Sequence, residues 1–346
     1  MEAKVSSETA RTKAELLAGG AVRIPRELRL PFSPSRSTAG PGAGSPEMVF
    51  SFGGARAKKA ISRTSGEFDL VVEGETARIL RRGDVMIREV ELLPTLFHAP
   101  YQAFINVDGS CRLACAFCNA HRLGRDATKN LTDDKIVDMA VQAASEDGFA
   151  GVALTSGAAG PQDDSIGRMA ELVGRIRTAL PESPIGVEPY VTHPRQVDDL
   201  RSAGATEIKL NIESSDPDIF DRVCPNRDYG AILHSINHAG SAFGRNSVCS
   251  NIIFGLGETD ESVLHATKML ANMGAVATLR ALRVNEGNAP HLKAAVGDVP
   301  PVSADRMLSL ARGQKAILAE YGLTPLAFKT MCHACMSCDI VPFWDV

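Results

Sequence analysis

From about residue 100 onward, short β-rich runs alternate with longer helical patterns, and this rhythm constrains the possible fold more than any other feature of the chain. The strand candidates are QAFINVD (102–108), GVALTS (151–156), PIGVEPYV (184–191), EIKLNI (207–212), SVCSNIIFG (247–255) and ATLRALRV (277–284). Helical stretches such as DDKIVDMAVQAASEDG, SIGRMAELVGRIRTAL and DESVLHATKMLANMG lie between them, and several end in Gly, as helices commonly do. Alternating β and α units imply a parallel sheet covered by helices. Six such units predict an α/β fold, a partial (βα)6 TIM-type barrel. Its chemistry is then expected just beyond the C-terminal ends of the strands.

The first hundred residues have a different character. Residues 8–19 have helical composition, and 31–46, LPFSPSRSTAGPGAGS, read as a loop or linker. The alternating runs of 66–93 predict a small antiparallel unit. This divides the chain into an N-terminal appendage (1–97), a barrel (98–325) and a short C-terminal segment (326–346).

Composition excludes several classes. With 44% apolar and 23% charged residues the chain is a globular protein, and a net charge of −4 leaves no electrostatic footprint for nucleic acid or an anionic membrane. No apolar run reaches the roughly 20 residues of a membrane span. The N-terminus lacks the apolar core of a secretory signal, so a cytoplasmic location is expected. In that setting thiols stay reduced, and closely spaced cysteines point to metal rather than disulfides. Six of the eight cysteines form two triplets, Cys111/Cys115/Cys118 and Cys332/Cys335/Cys338, while Cys224 and Cys249 stand alone. The first triplet follows directly on the first strand. Three thiolates on one loop can each hold one iron of a cubane cluster and leave the fourth iron open. The alternatives are buried free thiols or a zinc site; zinc wants a fourth ligand, no fourth Cys is nearby, and His121 fits on spacing alone.

The Cys-x3-Cys-x2-Cys spacing of Cys111, Cys115 and Cys118 resembles that of the radical S-adenosylmethionine (SAM) superfamily. The resemblance implies a [4Fe–4S] cluster whose open iron chelates SAM, so that an electron passed to the sulfonium releases a 5′-deoxyadenosyl radical. Phe117 sits where the family places an aromatic near the adenine. Thr155-Ser156-Gly157-Ala158-Ala159-Gly160 stands in the place of the family's Gly-Gly-Glu motif, which receives the methionine amino group. Gly-Gly-Glu itself is absent, and the segment is more similar to the Gly-Ala-Ala of biotin synthase; an ordinary strand-to-helix turn is the alternative. In Leu210-Asn211-Ile212-Glu213-Ser214, strand alternation puts Asn211 and Glu213 on one face, similar to a ribose-gripping pair in biotin synthase. Helix capping by Glu213 or Ser214 is the competing role. The segment from Ile253 and Gly255 through Gly257-Glu258-Thr259 resembles the G-L-G-E-T adenine-site segment of biotin and lipoyl synthases. Arg222-Val223-Cys224-Pro225-Asn226-Arg227-Asp228-Tyr229 resembles a stretch of lipoyl synthases, although their N-terminal cysteine triplet is missing here.

The second triplet, Cys332, Cys335 and Cys338, opens like a ferredoxin-type motif and predicts an auxiliary [4Fe–4S] cluster. Its fourth ligand is open between Cys249, Cys224 or none, and a zinc knuckle, with His333 inside the triplet, is the bland alternative. His234 and His238, at i,i+4, read as helix-face residues. Arg280 and Arg283 could bind a substrate carboxylate or serve in salt bridges. The resemblance to the biotin and lipoyl synthase branch implies sulfur insertion into unactivated C–H bonds. One form is the split, two-protein lipoyl synthase, acting on octanoyl-lysine of a carrier protein with a sister subunit and a reductant such as ferredoxin or flavodoxin. Other members of the branch, such as a hydrogenase-cofactor maturase or methylornithine synthase, and a non-enzymatic iron–sulfur scaffold are the alternatives.

Overall fold

A computed structural model describes residues 3–74, 76–123 and 131–346. The chain opens with helix α1 (Ser7–Ala18) and the strands β1 (Val22–Arg23), β2 (Ser35–Arg36), β3 (Pro46–Phe52), β4 (Ala55–Ser62), β5 (Phe68–Glu73), β6 (Thr76–Arg81) and β7 (Asp84–Leu93). The β/α part follows as β8 (Gln102–Asn106), α2 (Asp133–Ala143), β9 (Gly151–Thr155), α3 (Gln162–Ala179), β10 (Ile185–Glu188), α4 (Pro194–Ser202) and β11 (Glu207–Lys209). It continues through α5 (Pro217–Val223), α6 (Tyr229–Ala242), β12 (Val248–Phe254), α7 (Asp260–Asn272), β13 (Val276–Ala281), α8 (Ala289–Val296), α9 (Ala304–Glu320) and α10 (Met331–Cys335).

Strands β8 to β13 form one parallel sheet in chain order. This is the partial barrel expected from the alternation. Its short apolar runs are buried on both sides, as parallel strands under helices must be. One strand is shorter than expected: β11 stops at Lys209, and the chain rejoins the sheet through a bridge from Glu213, at φ 59°, to Ile252. Among the described residues no helix is long and apolar enough to cross a membrane.

The N-terminal strands form a second sheet in the order β2-β3-β4-β1-β5-β6-β7, and a further β3–β7 pairing closes it on itself. The antiparallel pairing therefore starts with β2 at Ser35, inside the segment read as a linker, not near residue 66. Strand β4, ARAKKAIS, escapes a reading by apolar alternation because Lys58 and Lys59 are buried in it. One continuous apolar core joins Leu16, Phe50 and Phe68 to Val152, Val187 and Ile208 of the barrel.

The C-terminal segment is woven into both parts. Met331 exchanges hydrogen bonds with the Gln102 amide, its N–H donating at 2.6 Å and its carbonyl accepting at 2.9 Å. Thr330 donates its hydroxyl and N–H to Glu207, and a Cβ on Gly186 would collide with that hydroxyl. Gln102, Gly186 and Glu207 all lie at strand starts, so this segment seals the N-terminal end of the barrel. Its last residues return to the N-terminal part, where Lys13 Nζ meets Asp345 Oδ2 at 2.6 Å and Lys4 and Val5 donate to the Trp344 carbonyl.

Candidate functional site

The first cysteine loop is shaped by local hydrogen bonds at the end of β8. The Asp108 carboxylate accepts from the Ser110 N–H and hydroxyl, and the Asp108 carbonyl accepts from Gly157 N–H at 2.8 Å. Gly157 is required here for close approach, because a Cβ would drive into the Ser110 carbonyl. Arg112 N–H donates to Ala158, and Ala116 N–H donates to Val223 at 2.8 Å. The strand-end turn after β9 thus holds the loop from one side and the end of α5 from the other. Cys111, Cys115 and Cys118 face one cavity together with Phe117. Cys118 Sγ accepts the Ala120 N–H at 3.4 Å, and burial pushes its thiol up to about 11. Cys224 stands beside Cys115, not beside the second triplet. That position removes it as a ligand candidate there. His121 does not reach the cavity, and His238 faces outward, hydrogen-bonded to Asp198 at 2.7 Å.

The second triplet approaches the same cavity from the opposite end. Cys332 and Cys338 line it, whereas Cys335 packs in an apolar cluster with Cys249, Phe104 and Phe343. Lys209 Nζ donates to Cys332 Sγ at 3.1 Å and pairs with Glu188 at 3.0 Å. Burial alone would lower the Lys209 pKa, but the neighbouring Cys332 and Glu188 outweigh it and hold the ammonium above the usual lysine range. Arg280 pairs with Asp339 at 3.3 Å and reaches Cys338. His333 is turned away from the thiols. Burial, then Lys209 and Arg280, lower its pKa to about 3, and the neutral ring hydrogen-bonds Thr278 at 3.1 Å and packs at a tilt against Phe328. Among the described residues no three His, Cys, Asp or Glu side chains converge as a single bound ion requires.

Between the triplets lie the strand-end residues. Ser156, Gly157, Asn211, Glu213 and Ile253 line the cavity; Gly255 does not. Asn211 bridges β10 and β12, donating to Glu188 at 2.8 Å and accepting from Asn251 N–H at 3.0 Å. Glu213 is no helix cap, since Asp216 caps α5. Its carboxylate instead pairs with buried Arg227 at 2.9 Å, which also donates to the Asn211 carbonyl and stacks over Tyr190. The Glu258 carboxylate folds back to accept the Gly255 and Leu256 N–H groups at 2.7 and 2.8 Å, while Thr259 caps α7. Gly255, at φ 100°, serves this turn and its packing against Val302.

The N-terminal part supplies the remaining wall, which the sequence reading did not foresee. Loop residues Ser37 to Gly42, together with Glu47, Lys58 and His98, border the cavity of about 300 Å³. Asn119 ties that loop down, its N–H donating to Gly40 and its side chain to Pro41. The only local signal was the unusual pair of lysines inside a strand.

Residues 105–270 match the family model described as the Radical SAM superfamily. This segment is a radical SAM domain. Curated relatives include the biotin synthase of Renibacterium salmoninarum, 27% identical over 174 residues that cover 48% of each chain. That of Geobacter sulfurreducens is 33% identical over 159 residues, covering 44% of this chain and 46% of the relative. The chain spans about half the length of the curated relatives it matches. Among solved structures, methylornithine synthase aligns with a TM-score of 0.50 at 18% identity, covering 64% of this chain and 69% of that one. The FeFe-hydrogenase maturase HydG from Carboxydothermus hydrogenoformans aligns with a TM-score of 0.51 at 18% identity, covering 64% and 52%. These likenesses bear on the barrel fold.

A radical SAM domain implies a [4Fe–4S] cluster and SAM, and the residues present fit both. Three thiols on one tightly held loop face a shared space, as three cluster ligands must. The Asn106 and Asn251 side-chain oxygens are buried at the cavity and have no hydrogen-bond partner among the described residues. Such acceptors suit a ligand rich in hydroxyl and amino groups.

Proposed function

We propose that this chain is a radical SAM enzyme that takes hydrogen from a small substrate enclosed in the barrel, with two iron–sulfur clusters facing that substrate. The observation that carries the reading is the shared cavity: Cys111, Cys115 and Cys118 border one end and Cys332 and Cys338 the other. Cys111, Cys115 and Cys118 would hold the first cluster, Phe117, Ser156, Gly157, Asn211, Glu213 and Ile253 would surround SAM, and Gly255 would support that wall. When bound and reduced by a donor such as ferredoxin or flavodoxin, cluster and SAM together supply a 5′-deoxyadenosyl radical. Cys332, Cys335 and Cys338 would hold the auxiliary cluster, with Lys209 and Arg280 as counter-charges to its thiolates. The loop 37–42 and the C-terminal segment close the chamber against water.

Sulfur insertion is the finer reading. Its support is that a group at Cys332 and Cys338 would look onto the chamber in which the radical acts, as a sulfur donor must. The resemblance to biotin synthases agrees with it. Lipoyl synthase activity on an octanoyl-lysine carrier, with a sister subunit, is one version. The charged wall of Glu47, Lys58 and Arg283 favours a second version, with a small polar substrate in place of an apolar acyl chain. The test is anaerobic reconstitution and iron counting of wild type and Cys332→Ala, then incubation with SAM, reductant and an octanoyl-lysine peptide. Cys332→Ala is expected to lose about one cluster's iron. Absence of 5′-deoxyadenosine from the wild type under every condition would refute the radical reading. Radical formation with an unchanged peptide would remove only the lipoyl version.

A further inference from the structure

We infer that the wall contributed by the N-terminal sheet is the substrate-recognition surface, and that it selects a small molecule bearing a carboxylate, received by Arg283. This rests on the reading of the cavity as the substrate chamber. The wall is built from parts far apart in the chain. Glu47 stands at the start of β3, Lys58 in the middle of β4, His98 in the connection to the barrel and Arg283 just beyond β13. All four border the cavity.

Lys58 and Glu47 are nearly inaccessible, at 1% and 3% exposure, and pair at 3.0 Å. Lys58 Nζ also donates to the His98 carbonyl at 2.8 Å and lies 3.0 Å from His98 Nδ1. The Lys58 charge is therefore fully committed. Arg283 is not. It approaches Glu47 at 3.7 Å, beyond hydrogen-bond length, and donates one hydrogen bond, to the Lys58 carbonyl at 3.3 Å. Of the five N–H groups of a guanidinium, the others have no acceptor among the described residues, while the side chain, 31% exposed, borders the chamber.

Ion-pairing two buried groups is a poor way to stabilise a fold, because an apolar pair of the same size does as well or better. Here the Lys58–Glu47 pair does something an apolar pair cannot: it fixes a carboxylate 3.7 Å from the Arg283 guanidinium at the cavity wall. With His98 held neutral by burial and by the nearby Lys58, the wall carries two positive charges and one negative. The balance of one positive charge suits a monoanion. A planar fork with free parallel donors suits a carboxylate in particular. Arg280, which borders the cavity next to this wall, is balanced by Asp339 and reaches Cys338, so it is not the receptor.

The inference is tested by equilibrium dialysis of the full, iron-loaded chain against hexanoate, hexan-1-ol and hexylamine, which share one alkyl body and differ in the headgroup. Wild type is expected to bind hexanoate at least about tenfold more tightly than hexan-1-ol, since a guanidinium fork gains charge-assisted bonds to two carboxylate oxygens where a hydroxyl offers one neutral acceptor. Arg283→Met should abolish that preference while leaving hexan-1-ol affinity in place, and Arg283→Lys should keep only part of it. Circular dichroism checks the fold of both variants; if Arg283→Met does not fold, the weakened preference of Arg283→Lys carries the test. Equal binding of hexanoate and hexan-1-ol, no saturable hexanoate binding, a preference for hexylamine, or an unchanged preference in the arginine variants would each overturn the inference. A wild type that binds hexanoate selectively yet forms no 5′-deoxyadenosine would refute the radical reading instead, and leave the carboxylate site standing.

Discussion

Replacing Lys13 by Met removes one half of an ion pair that has no contact with solvent on either side. Lys13 and Asp345 are both 0% exposed at the side chain and meet at 2.6 Å. Lys13 Nζ also donates to the Met336 carbonyl at 2.9 Å, between two cysteines of the second triplet. Asp345 Oδ2 additionally accepts the Val341 N–H at 2.7 Å. Lys13→Met thus leaves a buried carboxylate with one backbone donor as its only compensation. Breaking such a pair from one side destabilises by about 3–5 kcal/mol. With an unfolding entropy of about 2.1 cal/mol/K per residue, a loss of about 4 kcal/mol lowers the Tm of a chain of this size by roughly 5 °C. The double variant Lys13→Met/Asp345→Asn removes both charges and keeps an oxygen for the Val341 N–H. It should recover most of the loss, because the burial penalty of a lone ion is gone. Anaerobic calorimetry and guanidinium titration of the three proteins measure this directly. A single variant within about 1 kcal/mol of wild type, or a double variant no better than the single, would refute the reasoning.

Three further outcomes follow from other parts of the molecule. Glu258→Ala strands the Gly255 and Leu256 N–H groups and leaves Arg306, which pairs with Glu258 at 2.8 Å, with Asp260 at 2.7 Å as its remaining carboxylate; a loss of about 1–3 kcal/mol in denaturant titrations is expected, and no change would mean that water replaces the carboxylate. Gly157→Ala pushes a Cβ into the Ser110 carbonyl, so the iron bound after reconstitution should fall by about one cluster while that at the second triplet persists; full iron content would show that the loop yields. Glu67 is held below its ordinary pKa of 4.5 first by the Gly20 N–H and then by Arg81. Its contribution is therefore present above that pKa and lost as pH falls through the depressed folded value. Glu67→Gln should lower stability by no more than about 1 kcal/mol at neutral pH, and the difference from wild type should vanish in acid. A difference that does not shrink as pH falls below the ordinary carboxylate range would rule out this origin.

The barrel was legible because each of its strands is a local event. An apolar run such as GVALTS or SVCSNIIFG needs no distant partner to declare itself, and the first cysteine loop follows such a run immediately. The strand-end positions were legible for the same reason: Asn211, Glu213 and Ile253 do border the cavity. The wall opposite them was hidden because its character comes from contacts across the chain. Lys58 and Glu47 look like surface residues until Arg283, His98 and the Ser337 carbonyl, which accepts the Lys58 N–H at 2.6 Å, are packed around them. Glu258 and Gly255 illustrate the converse. A motif that resembles a ligand-lining segment folds here into a turn that clamps itself, with the carboxylate directed to its own backbone. Arg227 was read as one letter of a motif, whereas it is the buried cation that fixes Glu213 and stacks on Tyr190.

The charges within the barrel form a graded series rather than a scatter. Near the first triplet, Glu213 is matched by Arg227 at 2.9 Å. Midway, Glu188 is shared between Asn211 and Lys209. At the second triplet, Lys209 and Arg280 face Cys332 and Cys338. Taking each of these ions out of water costs several kcal/mol, which only close partners offset. A barrel interior filled with aliphatic side chains would fold at least as well. The polar interior therefore has to be accounted for by what the cavity holds. On the proposed function, cysteines holding clusters at both ends would need cations nearby, a ligand rich in hydroxyl and amino groups would need acceptors such as Asn106 and Asn251, and the fork of Arg283 would take the substrate's carboxylate. Each need is met by a different segment of the chain. For that reason the N-terminal sheet and the C-terminal segment belong to the site as fully as the barrel strands do.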